Sequence, residues 1–106
     1  MAKNRVDKRI IQAVEKYIAE VKKHYNVDSA YIFGSYVHGT QHKDSDIDVA
    51  IALKDIKSKF DEIGKLYLYA YNIDARIEPH AFRATEFRKN ETPLIDEIMR
   101  TGIKIV

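Results

Sequence analysis

Asp46 and Asp48 are separated by a single apolar residue, and ten residues before them stands the pair Gly34-Ser35. Side chains two apart on a strand project from the same face. A strand over 46–53 therefore sets the two carboxylates together and turns Ile47, Val49, Ile51 and Leu53 into a core. Neighbouring carboxylates repel each other, and a divalent cation relieves the repulsion. Oxygen-only ligands suit Mg²⁺ held partly by protein and partly by substrate phosphates. Gly34 follows the apolar run 30–33, and a glycine there permits backbone geometry that a side chain hinders. Ser35 then falls where a helix begins, where backbone N–H groups and a hydroxyl favour an anion such as phosphate. Each half has an ordinary reading, as a helix cap or as acids at a strand start. Their combination points to a phosphate-binding turn beside a metal-binding pair.

A third carboxylate is expected from the next strand. Ile73, Ala75 and Ile77 alternate with Asp74, Arg76 and Glu78, which predicts a half-buried strand that Pro79 ends or confines to a sheet edge. If this strand neighbours 46–53, Asp74 joins Asp46 and Asp48. Three acids could hold two Mg²⁺ ions about 3.5–4 Å apart, the arrangement used for in-line phosphoryl or nucleotidyl transfer. Glu78 shares the face of Asp74 and is its rival. The plainer role for Asp74 is an exposed partner of Arg76. His24, His42 and His80 show no metal-ligand spacing and are assigned surface or capping roles. The seven tyrosines are expected to pack with their hydroxyls at the surface. Tyr67, Tyr69 and Tyr71 could instead form a partner surface.

Positioning such a site takes a sheet and helices to cover it. Val6, Ile10, Ile11, Val14, Tyr17, Ile18 and Val21 recur every three or four residues, one stripe of an amphipathic helix over 5–25. The stretch 25–29 breaks the period and turns the chain, 30–33 is a short buried strand, and 36–39 a brief helix. Residues 40–45 form a polar, exposed loop. Ser58 with Asp61 three residues on resembles a capping box and opens a helix over 58–71. Thr92 before Pro93 starts another, with Leu94, Ile95, Ile98 and Met99 inward and Gly102 at its end. Residues 103–106 supply a last strand. The fold class is α+β, a mixed sheet with helices packed on it, in a single domain spanning 1–106.

Bulk properties narrow the function further. A chain of 106 residues can bury a core without staples. Eighteen basic against 16 acidic residues give a formal charge of +2 with no basic block, which does not call for nucleic acid. The absence of cysteine removes disulfides, zinc-thiolate sites and thiol nucleophiles together. No apolar run approaches the ~20 residues of a membrane span, and the N-terminus leads into an amphipathic helix, so a cytoplasmic location is expected.

Gly34-Ser35, Gly39, Asp46-x-Asp48 and a later strand acid resemble the minimal nucleotidyltransferases of the polymerase-β-like superfamily, over nearly the whole chain. The resemblance implies a mixed sheet flanked by helices, Mg²⁺, and a nucleoside triphosphate, most simply ATP. It implies that Asp46 and Asp48 bind metal, that Gly34 and Ser35 hold the triphosphate, and that Asp74 helps to activate the acceptor hydroxyl. Gly39 and His38 complete the phosphate-binding turn. Two positions that hold arginine in many members carry Tyr36 and His38. Arginine grips phosphate by a bidentate fork; histidine is a weaker, pH-sensitive substitute. Family members of this size are commonly paired with a helical HEPN-family toxin, on which they act as antitoxins and can adenylylate a tyrosine. The resemblance thus implies AMP transfer to such a partner. Two alternatives stand beside it: a binding module of the same fold with little catalysis, and a transferase for small molecules such as antibiotics, working at the interface of a homo-oligomer.

Overall fold

The computed structural model describes residues 6–42 and 45–106. Helix α1 (Lys8–Lys22) is opened by Asp7, whose carboxylate accepts from the Arg9 N–H at 2.8 Å. Its buried stripe is the one the periodicity marks, from Ile10 to Val21; Arg5, at the expected helix start, lies outside the described residues. Strand β1 (Asn26–Phe33) begins four residues earlier than the sequence suggested. The stretch 26–29 pairs with the far end of β2 across a register shift at Val27/Ser29 and so continues the ladder. A four-residue helix, α2 (Ser35–His38), and a loop lead to β2 (Ile47–Lys54). Helix α3 (Lys59–Tyr71) crosses to β3 (Ile77–Arg83), followed by α4 (Ala84–Lys89), α5 (Pro93–Thr101) and β4 (Ile103–Lys104).

The sheet order is β3-β2-β1-β4; β1 is antiparallel to β2 and β4, and β2 is parallel to β3. Its two faces differ in character. Ile47, Val49, Ile51 and Leu53 meet Ile18 and Val21 of α1 and Leu66 and Ala70 of α3 in the larger core. Each isoleucine, leucine or valine among them contributes about 1.5–3 kcal/mol on burial. Alternation sends Asp48, Ala50 and Ala52 the other way. The alanines admit Phe87 of α4 and Ile95 and Ile98 of α5 close to the sheet. The acid-bearing face is thus roofed over the alanines and open at Asp48.

Four expectations change. Residues 73–76 are a turn and not a strand. Asp74 accepts the backbone N–H of Arg76 at 3.0 Å, an Asx-type turn that competes with strand geometry, and the Ile77 N–H closes it onto the Asp74 carbonyl at 3.0 Å. β3 instead runs through Pro79, tolerated because β3 is an edge strand. Ser58 precedes α3 but makes no side-chain cap bond, and Leu94 and Met99 of α5 are 43% and 44% exposed, leaving only Ile95 and Ile98 as its buried stripe. Ser45 is buried, its hydroxyl accepting the His42 N–H at 2.8 Å. Lys43 and Asp44, in the same expected loop, lie outside the described residues.

Candidate active site

Asp48 stands where three strands meet. Its register partner on β1 is Phe33, and its partner on β3 is Glu78. Gly34 directly follows Phe33 with φ +80°, ψ −147°, a backbone region open essentially to glycine alone. A Cβ on Gly34 would run into the carboxylate of Asp48. The glycine therefore has two physical duties, to turn the chain and to let the turn lie on the acid. Ser35 and Tyr36 then open α2, where N–H groups lack intrahelical acceptors. Gly39 closes α2 in the left-handed region, φ +73°, donating its N–H to the Ser35 carbonyl.

On the other side of Asp48, period-two geometry sends Glu78 and His80 to the same face of β3. One donor atom each of Asp48, Glu78 and His80 lies within 4.8 Å of the others. His80 Nε2 is 3.0 Å from Asp48 Oδ1, and the imidazole is held edge-on by the Phe33 ring at 5.0 Å. Burial and then the charge of Asp48 push the Glu78 carboxyl above its usual range, Asp46 adding to the effect and His80 opposing it. Asp46, one residue ahead of β2, is exposed at the lip of this cluster. The residues fit a hard divalent cation: carboxylate oxygens converge, and their mutual repulsion is what a cation removes. The imidazole suits a role steadying Asp48 as well as one of direct ligation.

Among the expected site residues, the structure brings Gly34, Ser35, Asp46 and Asp48 to one end of the sheet. His38 is exposed on α2 and lines a pocket of ≈ 210 Å³ with Phe33, Gly34, Leu94, Glu97, Ile98 and Thr101. Asp74 is placed elsewhere. Both its oxygens are taken by the Arg76 guanidinium, at 3.1 and 2.9 Å, and this pairing holds the Asp74 carboxyl below its usual range. Arg76 is raised by the same pairing, with the Tyr36 hydroxyl contributing further. The expected third acid thus sits in a neutralised pair on the turn, and Glu78 occupies the place opposite Asp48. His80 carried no metal-ligand spacing as a histidine. Its signal was the spacing of two from Glu78, the same spacing that marks Asp46 and Asp48.

Residues 15–106 match the family model described as "Polymerase beta, Nucleotidyltransferase". A Methanocaldococcus jannaschii protein named "Putative protein adenylyltransferase MJ0141" is 31% identical over 101 residues, 91% of this chain and 95% of that protein. A second from the same organism, "Putative protein adenylyltransferase MJ1215", is 43% identical over 42 residues, 40% of this chain and 49% of that protein. The fold is similar to a crystal structure described as "a putative nucleotidyltransferase from Sulfolobus solfataricus", with a TM-score of 0.66 at 22% identity over 91% of this chain and 78% of that one.

Proposed function

Because the chain belongs to the polymerase β nucleotidyltransferase family, we propose that it transfers AMP from ATP to an acceptor hydroxyl on a protein, with Mg²⁺ held by Asp46, Asp48 and Glu78. One observation carries this reading: the Gly34 turn lies directly on the Asp48 carboxylate, so a phosphate cradle and a cation site share one wall. The backbone of Gly34-Ser35 and the Ser35 hydroxyl donate to the triphosphate. Glu78 takes the proton of the acceptor hydroxyl as its oxygen bonds to the α-phosphorus, and pyrophosphate leaves. His80 keeps Asp48 oriented. When bound, the divalent ions neutralise phosphate charge and align the attacking and leaving oxygens.

The relatives' names support protein adenylylation over small-molecule transfer. A tyrosine on a helical HEPN-family toxin as acceptor, and with it an antitoxin role, rests on family resemblance alone. The test is incubation with Mg²⁺ and ATP labelled on the α-phosphate, with and without co-purifying protein. Labelled AMP on a protein, lost when Mg²⁺ is chelated, is the expected result. Tyr36, at one of the two positions where many members carry arginine, is buried against Arg76 and the other, His38, carries no bidentate fork. That feature favours a binding module as the second reading, for which the same assay gives no transfer while the partner stays bound.

A further inference from the structure

Helix α3 buries one face and leaves a second apolar face in water. Leu66 and Ala70 enter the core, whereas Phe60, Tyr67, Leu68 and Tyr71 are 87%, 44%, 61% and 72% exposed. These are four of the six large apolar side chains exposed among the described residues. Tyr69 stands apart from them: it turns to α1 and stacks on His24 at 4.6 Å. Successive helical positions are about 100° apart, so residues 60, 64, 67, 68 and 71 form one stripe. An exposed apolar patch of this kind marks a contact surface. Gly64 lies at its middle, in the interior of a 13-residue helix, where glycine costs helix stability relative to alanine. No described residue of this chain requires the glycine, because a Cβ added there meets nothing within 4 Å. A bare stretch of helix backbone between Phe60 and Leu68 is what a second helix needs in order to approach closely.

The strand edge beside the stripe does not suit an added strand. The Ile47 N–H bonds to the Arg76 carbonyl at 2.7 Å, so alternate residues of β3 turn their backbone groups to β2, while Ile77, Pro79 and Ala81 turn theirs outward. The Ile77 N–H is spent on the Asp74 carbonyl and Pro79 has none, which leaves Ala81 to donate. We infer that the stripe is covered by α3 of a second copy of this chain, in an antiparallel crossing centred on Gly64. Three features make the stripe complementary to itself. Phe60 and Leu68 stand four residues either side of Gly64, so reversing the helix lays Phe60 of each copy against Leu68 of the other. The row 60-64-68 is an i±4 ridge, which interdigitates with its equal at about −50°, and the glycine brings the axes to the short end of the usual separation of about 8–10 Å. Asp61 and Lys65 border the stripe on one flank. Under two-fold symmetry that flank meets itself reversed, so Asp61 falls opposite Lys65 of the second copy, twice over. Within the chain Lys65 is only 3.8 Å from Glu62, at the carboxylate oxygen that already accepts from Tyr25 at 2.7 Å. A single helix pair is a small interface, so the dimer forms reversibly, in the micromolar range. It does not depend on nucleotidyl transfer.

The experiment is sedimentation velocity on the purified intact chain, from low micromolar to millimolar concentration. The expected result is a monomer that passes to a dimer and to nothing larger. Leu68→Lys, shown folded by circular dichroism, weakens association at least about tenfold. Gly64→Gln has opposite effects on fold and pairing: the thermal midpoint of the dilute monomer rises, since the side chain has room and favours the helix, while association weakens by a similar factor. Asp61→Lys weakens the dimer by setting two lysines together, and Lys65→Asp added to it restores the dimer, as only pairing of the stripe with itself requires. A chain that stays monomeric at every concentration overturns the inference and leaves the stripe to a different protein. A dimer indifferent to Leu68→Lys or to Gly64→Gln, or one that the double exchange fails to restore, overturns the antiparallel crossing.

Discussion

Two groups of acids flank the start of β3, and they are handled in opposite ways. Asp74, on the turn, is held in a fork by Arg76 and caps a backbone N–H, so its charge is fully answered by its neighbours. Asp48, Glu78 and the nearby Asp46 crowd together with a histidine as their near partner. The first arrangement is self-sufficient and lowers a carboxyl's pKa; the second raises one. An acid already paired contributes to the fold, while acids set against each other leave an electrostatic demand that a ligand can meet. The sequence shows only that acids are present at 46, 48, 74 and 78. Which group an acid joins is decided by a neighbour two residues away or across the sheet.

The contrast can be broken by substitution. Asp48→Asn has the largest expected effect, a loss of AMP transfer of at least about a hundredfold, with the thermal midpoint unchanged or higher because a like charge next to Glu78 is gone. Transfer within a few-fold of the unaltered chain would remove Asp48 from the centre. Glu78→Gln is expected to cost about a hundredfold in turnover, through loss of both base and ligand, as measured by steady-state release of pyrophosphate. His80→Ala is expected to weaken Mn²⁺ binding by about 10–100-fold, the usual effect of losing a group that orients a ligand, measurable by calorimetry. Asp74→Asn is expected to lower stability by up to about 1 kcal/mol in urea unfolding, as for a partly exposed ion pair, and to leave transfer nearly intact. The reverse pattern, with Asp74→Asn inactive and Glu78→Gln active, would exchange the two assignments.

Acidity sharpens the same contrast, because the two carboxyls shift in opposite directions. Asp74 has a folded pKa below its unfolded value of 3.8, so its stabilisation is present above that value and is lost as pH falls through the folded pKa. Glu78 has a folded pKa above 4.5, so the folded state binds the extra proton, and stability from this group declines as pH rises through the window above 4.5. Divalent affinity must run the other way, increasing across that window as the proton leaves. Calorimetry in buffers of different ionisation enthalpy should show a proton released on cation binding within it. No release there would mean that Glu78 is not a ligand.

The turn at Gly34 and the strand that carries Asp48 were legible in the sequence because each is a local element. Gly34-Ser35 and Asp46-x-Asp48 announce a turn and a shared strand face by spacing alone, and α1 declares its buried stripe by period. The third acid was not legible, because Asp74 and Glu78 lie on the same parity and alternation cannot separate them. The choice is made by the Asx turn at 74–76, which delays β3 to Ile77, and by pairing with β2, which sets Glu78 opposite Asp48. α4 has no counterpart in the sequence reading, which assigned no element between Pro79 and Thr92. In the fold the proline sits inside an edge strand, and the backbone N–H of Arg83 finds the Glu86 carboxylate at 2.9 Å to start the helix.

The parallel register of β2 and β3 has a consequence for how such a centre could be retuned. Glu78 and His80 are two residues apart on a paired strand, so their bases are separated by the strand's pitch, about 6.6 Å. That interval is a property of the peptide repeat and no substitution alters it. A one-residue insertion in the 72–76 turn can be taken up there, whereas the same insertion between Ile77 and His80 would rotate one donor to the hydrophobic side. Adaptation to a larger or smaller ion therefore has one inexpensive route, side-chain length at fixed points, for which Glu78→Asp, shorter by one methylene, is the minimal step.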